Sequence, residues 1–174
     1  GRLYAFGGED GAPGMYVHDP ETLEWSALPA PPAINRRGAA AVAVEDAFWL
    51  IGGARGGEAT ARVDIYDPQA GEWRVGPDLP EARAGHAAAV LDGAIHVFGG
   101  RSADMRRTVE THWILSPGAA RWAQGPSMPA PRTEAAAATL AGEIWLVGGG
   151  AGAGFFAPFT AVDSVDVLQA APAE

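Results

Sequence analysis

The chain has 174 residues, with 12 basic side chains against 21 acidic ones and no cysteine. A formal charge of −9 without a long basic run is a poor match to nucleic acid or an anionic membrane surface, and no apolar run is long enough to span a bilayer. The absence of cysteine removes disulfide and thiolate chemistry, while 24 glycines and 14 prolines interrupt the chain too often for long helices, so an all-β reading follows.

In chain order, the first recognisable piece is LYAFGG at residues 3–8, an apolar strand closed by a glycine pair. Gly-Gly pairs recur, beginning at positions 7, 52, 99 and 148, with spacings of 45, 47 and 49 residues. Such a period marks a repeat array. Three longer copies carry it: RRGAAAVAVEDAFWLIGG (36–53), RAGHAAAVLDGAIHVFGG (83–100) and RTEAAAATLAGEIWLVGG (132–149). In each, the first arginine stands sixteen residues before the first glycine of the pair.

Each repeat divides into four short segments, a to d. Segment a is small and apolar, as in AAAVAV (39–44), which suits the crowded innermost place where several sheets converge. Segment b is AFWLIGG or its equivalent, joined to a by the two-residue turns Glu45-Asp46, Asp92-Gly93 and Ala141-Gly142. Turns so short make a and b antiparallel neighbours. Both alternating faces of b are apolar, with Trp49 and Ile51 on one and Phe48 and Leu50 on the other, so these strands should be covered on both sides. Segment c is MYVHDP, VDIYDP, WILSP and finally VDVLQ; a tryptophan follows the first three prolines by five residues, at Trp25, Trp73 and Trp122, and opens segment d. These three are expected in the core, where each removes roughly 200 Å² from water, about 5 kcal/mol as an upper estimate.

Four-stranded antiparallel units of this period, set around an axis, make a β-propeller. The glycine pair after an apolar strand, the Tyr-Asp-Pro step, the tryptophan five residues on and the Pro-x-x-Arg link together resemble Kelch repeats over nearly the whole chain. His96 departs from the pattern in the aromatic slot of Tyr4, Trp49 and Trp145, as do Leu115 and Leu168 in the slot of Tyr66. The expected division is a partial blade at residues 1–34 (b, c, d), full blades at 35–80 and 81–129, and a partial blade with tail at 130–174 (a, b, c). Because the first unit lacks an inner strand and the last an outer one, the ends do not complement each other. The expected object is therefore an open arc, the carboxyl-terminal portion of a longer propeller. The ending resembles the closing segment of bacterial Kelch-repeat proteins.

Antiparallel geometry puts the a-b and c-d turns on one face and the longer, more variable b-c and d-a connections on the other. Length variation on a constant scaffold is where binding diversity is housed, so the second face is the candidate site. Arg36, Arg83 and Arg132 begin segment a at its inner rim. They suit either a ring of forked donors for a carboxylate or structural bonds to neighbouring blades. The resemblance implies contact with an acidic peptide. Arg101, Arg106 and Arg107 crowd one b-c loop with Asp104, and Phe155, Phe156 and Phe159 follow the last glycine run. The expected partner is a protein segment or a carbohydrate, with no cofactor.

For catalysis the alternative is a sugar isomerase, as the resemblance to bacterial sialic-acid mutarotases implies, with Glu134 and His86 as an acid-base pair and the rim arginines on a sugar carboxylate. The four histidines, His18, His86, His96 and His112, lie on different segments without ligand spacing, so no metal site is expected. Copper-radical oxidases of similar propeller type need a cysteine, which this chain lacks.

Overall fold

A computed structural model describes residues 1–7, 14–152 and 161–169. The first sheet contains β1 (Leu3–Phe6), β2 (Met15–Asp19) and β3 (Glu24–Ala27), in that spatial order. The second runs β4 (Ala40–Val44), β5 (Ala47–Ile51), then, across a small hairpin of β6 (Ala54–Arg55) and β7 (Glu58–Ala59), β8 (Val63–Asp67) and β9 (Glu72–Val75). The third is β10 (Ala87–Leu91), β11 (Ala94–Phe98), β12 (His112–Leu115) and β13 (Ala123–Gln124), and the fourth β14 (Ala136–Leu140), β15 (Glu143–Val147) and β16 (Val165–Gln169). Every pairing is antiparallel. Among the described residues the result is an all-β propeller arc, two four-stranded blades flanked by two of three strands.

The two-residue turns form where they were expected, with Glu45, Asp92 and Ala141 at φ of 52°, 50° and 52°. Left-handed backbone at the first turn residue matches the twist of the flanking strands. Alanines dominate β4, β10 and β14, the innermost strands, which lie side by side from blade to blade.

Among the described residues, three apolar clusters lie at the three junctions. Between blades 2 and 3, Ile51, Val63, Ile65 and Leu79 meet Ile95, Val97, Leu115 and Trp122. Between blades 3 and 4, Phe98 and Met128 meet Ile144 and Leu146, and between blades 1 and 2, Met15 and Ile34 meet Leu50 and Tyr66. Trp122 is 8% exposed and donates its indole N–H to the Pro77 carbonyl at 2.9 Å.

Two expectations fail at the ends of the arc. Trp25 is not a core residue: it is 53% exposed, because its sheet face looks away from blade 2 and no other described blade covers it. Likewise β1 and β15 are not covered on both faces. Trp145 and Val147 are exposed on the outer face of β15 while Ile144 and Leu146 are buried on the other. The β6-β7 hairpin was not foreseen. Phe155, Phe156 and Phe159 lie outside the described residues.

Candidate functional site

The arginine column is buried at 1–3% exposure and is bonded to its own blade. Arg36 donates from Nε to the Gly52 carbonyl at 2.6 Å, and its other nitrogens reach the carbonyls of Ala33 and Leu50 and the Asp64 carboxylate. Arg83 donates to the Gly99 carbonyl at 2.9 Å, to the Thr111 hydroxyl and to Glu81. Arg132 donates to the Gly148 carbonyl at 3.1 Å, to Ser164 and to Asp166. The constant spacing of sixteen is thus the span from each arginine to the glycine carbonyl it holds. Apart from the Ala33 carbonyl in the link before Arg36, the side-chain partners belong to the same blade rather than to a neighbour, a correction to the structural reading of the sequence.

The neighbouring blade is reached by the backbone of the same residue. The Arg83 carbonyl accepts from the Gly53 N–H at 2.9 Å, and the Arg132 carbonyl from Gly100 at 2.8 Å. The first glycine of the second and third pairs leaves room for this contact. A Cβ on Gly52 would lie 2.7 Å from the Arg83 oxygen, and Gly52 holds φ +56°, a value few side-chain-bearing residues adopt. Each repeat therefore carries a hook and an eye, the arginine and the glycine pair.

Closer to the axis, Gly38, Gly85 and Glu134 occupy one repeat position with φ of 61°, 65° and 56°. Gly85 N–H donates to the Gly38 carbonyl and Glu134 N–H to the Gly85 carbonyl, both at 2.7 Å. The exposed Glu134 carboxylate stands over Gly85, where an added Cβ would lie 2.5 Å from its Oε1.

His86 is sealed between blades 2 and 3, 6% exposed, with neither ring nitrogen in a hydrogen bond. Burial, aided by the Arg83 charge, pushes its pKa down to about 3. No hydrogen bond or ion pair joins His86 to Glu134 among the described residues, and the imidazole faces the blade junction while the carboxylate faces solvent. The geometry does not assemble them into an acid-base pair.

His96 and His112 form a stacked pair that the sequence reading passed over because their spacing fits no metal. His96 Nδ1 lies 2.9 Å from His112 Nε2, and His112 Nδ1 3.2 Å from the Pro126 carbonyl. The carbonyl can only accept, so Nδ1 of His112 carries a proton, and when both rings are neutral its Nε2 accepts from His96 Nδ1–H. Burial lowers both pKa values, that of His96 to about 4 with help from its neighbour. No group of three or more metal-ligating side chains occurs among the described residues.

The loop arginines differ from the column. Arg101, Arg106 and Arg107 form no ion pair with a described carboxylate. Asp104 is held by the Ser102 hydroxyl at 2.6 Å and the Arg106 backbone N–H at 3.1 Å, which together keep its pKa below the usual range. Arg101 is pinned by its backbone to Ala84, and its Nε is buried without a partner. Arg101 and Arg107, with Arg83 behind them and Glu81 at the edge, line a cavity of about 470 Å³ between the d-a link and the b-c loop of blade 3. Arg106 is exposed on the same loop but outside that lining.

Neighbouring b-c loops are tied together. Ala59 N–H donates to the Ala103 carbonyl at 3.0 Å, and the Thr108 hydroxyl to the Gly152 carbonyl at 2.6 Å. These bonds join blades 2 to 3 and 3 to 4 above the sheets.

Comparison with known proteins now bears on the fold. A model of the KLHDC2/KLHL20/DRC7 Kelch-repeats domain matches residues 1–166. The chain belongs to the Kelch-repeat family. Similar Kelch proteins include Kelch-like protein 35 of Mus musculus, 34% identical over 105 residues that make up 58% of this chain and 17% of the relative. Kelch-like protein terF of Aspergillus terreus is 30% identical over 127 residues, 64% of this chain and 28% of that protein. The solved structure of YjhT superposes with a TM-score of 0.77 at 18% identity, covering 91% of this Kelch chain and 50% of YjhT. The chain thus spans less than a third of these curated relatives and half of YjhT, and the likeness to YjhT speaks for the fold. No helix of the described residues is long and apolar enough to cross a membrane.

Proposed function

We propose that this Kelch chain is a protein-interaction scaffold that grips an acidic segment on the b-c and d-a loop face, at the cavity beside Arg101 and Arg107. The observation that carries this reading is a concave site of about 470 Å³ lined by Arg101 and Arg107, neither of which forms an ion pair with a described carboxylate, beside the Arg83–Glu81 pair. A guanidinium outside a direct ion pair is a ready donor to a ligand carboxylate, and its fork favours paired bonds. The loop-to-loop bonds hold the site rigid, which limits the ordering cost of binding. Arg83 supports the floor rather than offering a free hand, since its two terminal nitrogens are already engaged. Arg36 and Arg132 are engaged in the same way, so they act on the site through blade geometry.

A protein segment is favoured over a carbohydrate by family membership, while a sugar carboxylate would offer the same atoms to Arg101 and Arg107. The test is titration of a Glu/Asp-rich peptide, and separately of an acidic sugar, into the chain and into its Arg101→Ala/Arg107→Ala variant. The expected result is saturable, salt-sensitive binding of the peptide that weakens about tenfold or more in the variant, the scale of one charge-assisted bond. Equal affinity in both proteins would overturn the reading. Binding of the sugar alone would move the site to a carbohydrate class.

A further inference from the structure

Junctions 1/2 and 2/3 are built from the same repeat positions, yet different residues fill them. At 1/2 five of these positions are aromatic: Tyr4 and Phe6 of blade 1 meet Phe48, Tyr66 and Trp73 of blade 2, with ring centroids 4.6 Å apart for Tyr4 and Phe48 and 5.9 Å apart for Phe6 and Trp73. At 2/3 the same positions hold Trp49, Ile51, Ile95, Leu115 and Trp122, so three rings have become aliphatic chains. Two of those three, Ile95 and Leu115, line a cavity of about 420 Å³ with Trp49. It opens beside the a-b and c-d turns, where Glu45, Gly93 and Pro117 form its rim. It shares no lining residue with the cavity beside Arg101 and Arg107.

A cation lines the same cavity. Arg74 follows Trp73 on β9, at a position that holds Ser26 in blade 1 and Ala123 in blade 3. The register pairs Arg74 with Ile65 and Ile65 with Trp49, so the three share the sheet face turned toward blade 3. The guanidinium carbon of Arg74 lies 6.0 Å from the centre of the Trp49 ring, and Arg74 forms no ion pair with a described carboxylate. We propose that this cavity binds a small planar aromatic carboxylate, with its ring against Trp49, Ile95 and Leu115 and its carboxylate on Arg74. The ring takes the room that Phe48 and Tyr66 occupy at the neighbouring junction, and offset contact with the Trp49 indole adds to the apolar burial. The guanidinium fork supplies two donors to the carboxylate. A volume of about 420 Å³ falls among small-molecule sites, which are apolar with a few placed polar groups. Glu45 sits on the inner turn of blade 2, separated from Arg74 by β5 and β8, and disfavours a second carboxylate. The ligand is therefore a monoanion.

The experiment titrates 2-naphthoate, and its uncharged counterpart 2-naphthamide, into the full 174-residue chain by calorimetry. Saturable binding of one naphthoate per chain is expected, with the amide at least tenfold weaker, the scale of a charge-assisted bond. Arg74 is exposed, so Arg74→Gln tests the contact without touching the core, and it should weaken naphthoate at least tenfold while leaving the amide unchanged. Leu115→Tyr restores the ring that blade 2 carries at this position and should abolish binding of both compounds, with a denaturant midpoint no lower than that of the parent chain. The proposal is overturned by the lack of saturable naphthoate binding, or by equal naphthoate affinity in the parent and Arg74→Gln. Undiminished binding to a folded Leu115→Tyr variant would place the ligand elsewhere and overturn it as well.

Discussion

Two sets of three arginines divide the labour in this molecule. Arg36, Arg83 and Arg132 are spread evenly along the chain and converge on buried carbonyls, whereas Arg101, Arg106 and Arg107 are neighbours in sequence and have no carboxylate partner among the described residues. The periodic arginine is caught by the repeat that generates it, because a carbonyl sits at the same offset in every copy. An arginine in a loop of variable length finds no such recurring partner and is left to the solvent or to a ligand. Periodicity thus separates the scaffold arginines from those of the proposed site.

The largest effect should come from the column. Arg36→Met would leave Asp64 buried with only the partly exposed Arg62 as counter-charge, and would remove the side-chain donor from the Gly52 carbonyl. A loss of about 3–5 kcal/mol is expected, measured as a shift in the denaturant midpoint. An unchanged midpoint would erase the distinction between the two sets. Asp64 itself should add stability that fades only in strong acid. Burial opposes its ionisation, but hydrogen bonds from Arg62 and Arg36 prevail and hold its pKa below 3.8. The contribution is therefore present above the ordinary aspartate range and disappears as pH falls through the lowered value.

Gly52→Ala comes next. The new methyl would meet the Arg83 carbonyl in a left-handed backbone, at a cost of about 2–4 kcal/mol by the same melts.

His86 sharpens the comparison through pH, since it shares the blade junction with Arg83. Its folded pKa of about 3 lies below the ordinary 6.5, so the unfolded chain binds the extra proton and stability falls as pH drops from 6.5 toward 3. Each unit in that window costs about 1.4 kcal/mol. Between pH 7 and pH 5 the parent chain should lose about 2 kcal/mol more than His86→Ala, whose repeat counterparts Ala39 and Ala135 are already alanine. Parallel pH curves would show that the buried imidazole is not the titrating group.

The smallest stability effect should belong to Arg101→Ala/Arg107→Ala, within about 0.5 kcal/mol of the parent. Loss of peptide binding at constant stability would complete the contrast.

Much of the fold was legible because strands, two-residue turns and glycine pairs are local features that repeat. The spacing of sixteen is also the span of the bond from each arginine to its glycine carbonyl, although the sequence suggested either a ligand-gripping ring or bonds to neighbouring blades. What escaped was set by neighbours in space. Trp25 follows the same pattern as Trp122, and only the absence of a covering blade among the described residues makes one exposed and the other buried. The His96–His112 pair joins adjacent strands whose register places His96 opposite Ile114, so no sequence spacing announces the contact. The cavity beside Arg101 depends on Ala84 clasping the loop backbone, a tertiary bond with no signature in residue type.

The hook and eye have an evolutionary reading as well. At the joints between blades 2 and 3 and between blades 3 and 4, the backbone of an arginine fastens to the glycine pair of the unit before it, so both joints are made from the same two parts. A gene segment of one period, duplicated or deleted in register, carries matching couplings at both cuts. Blade number can then change by recombination without any new contact having to be invented.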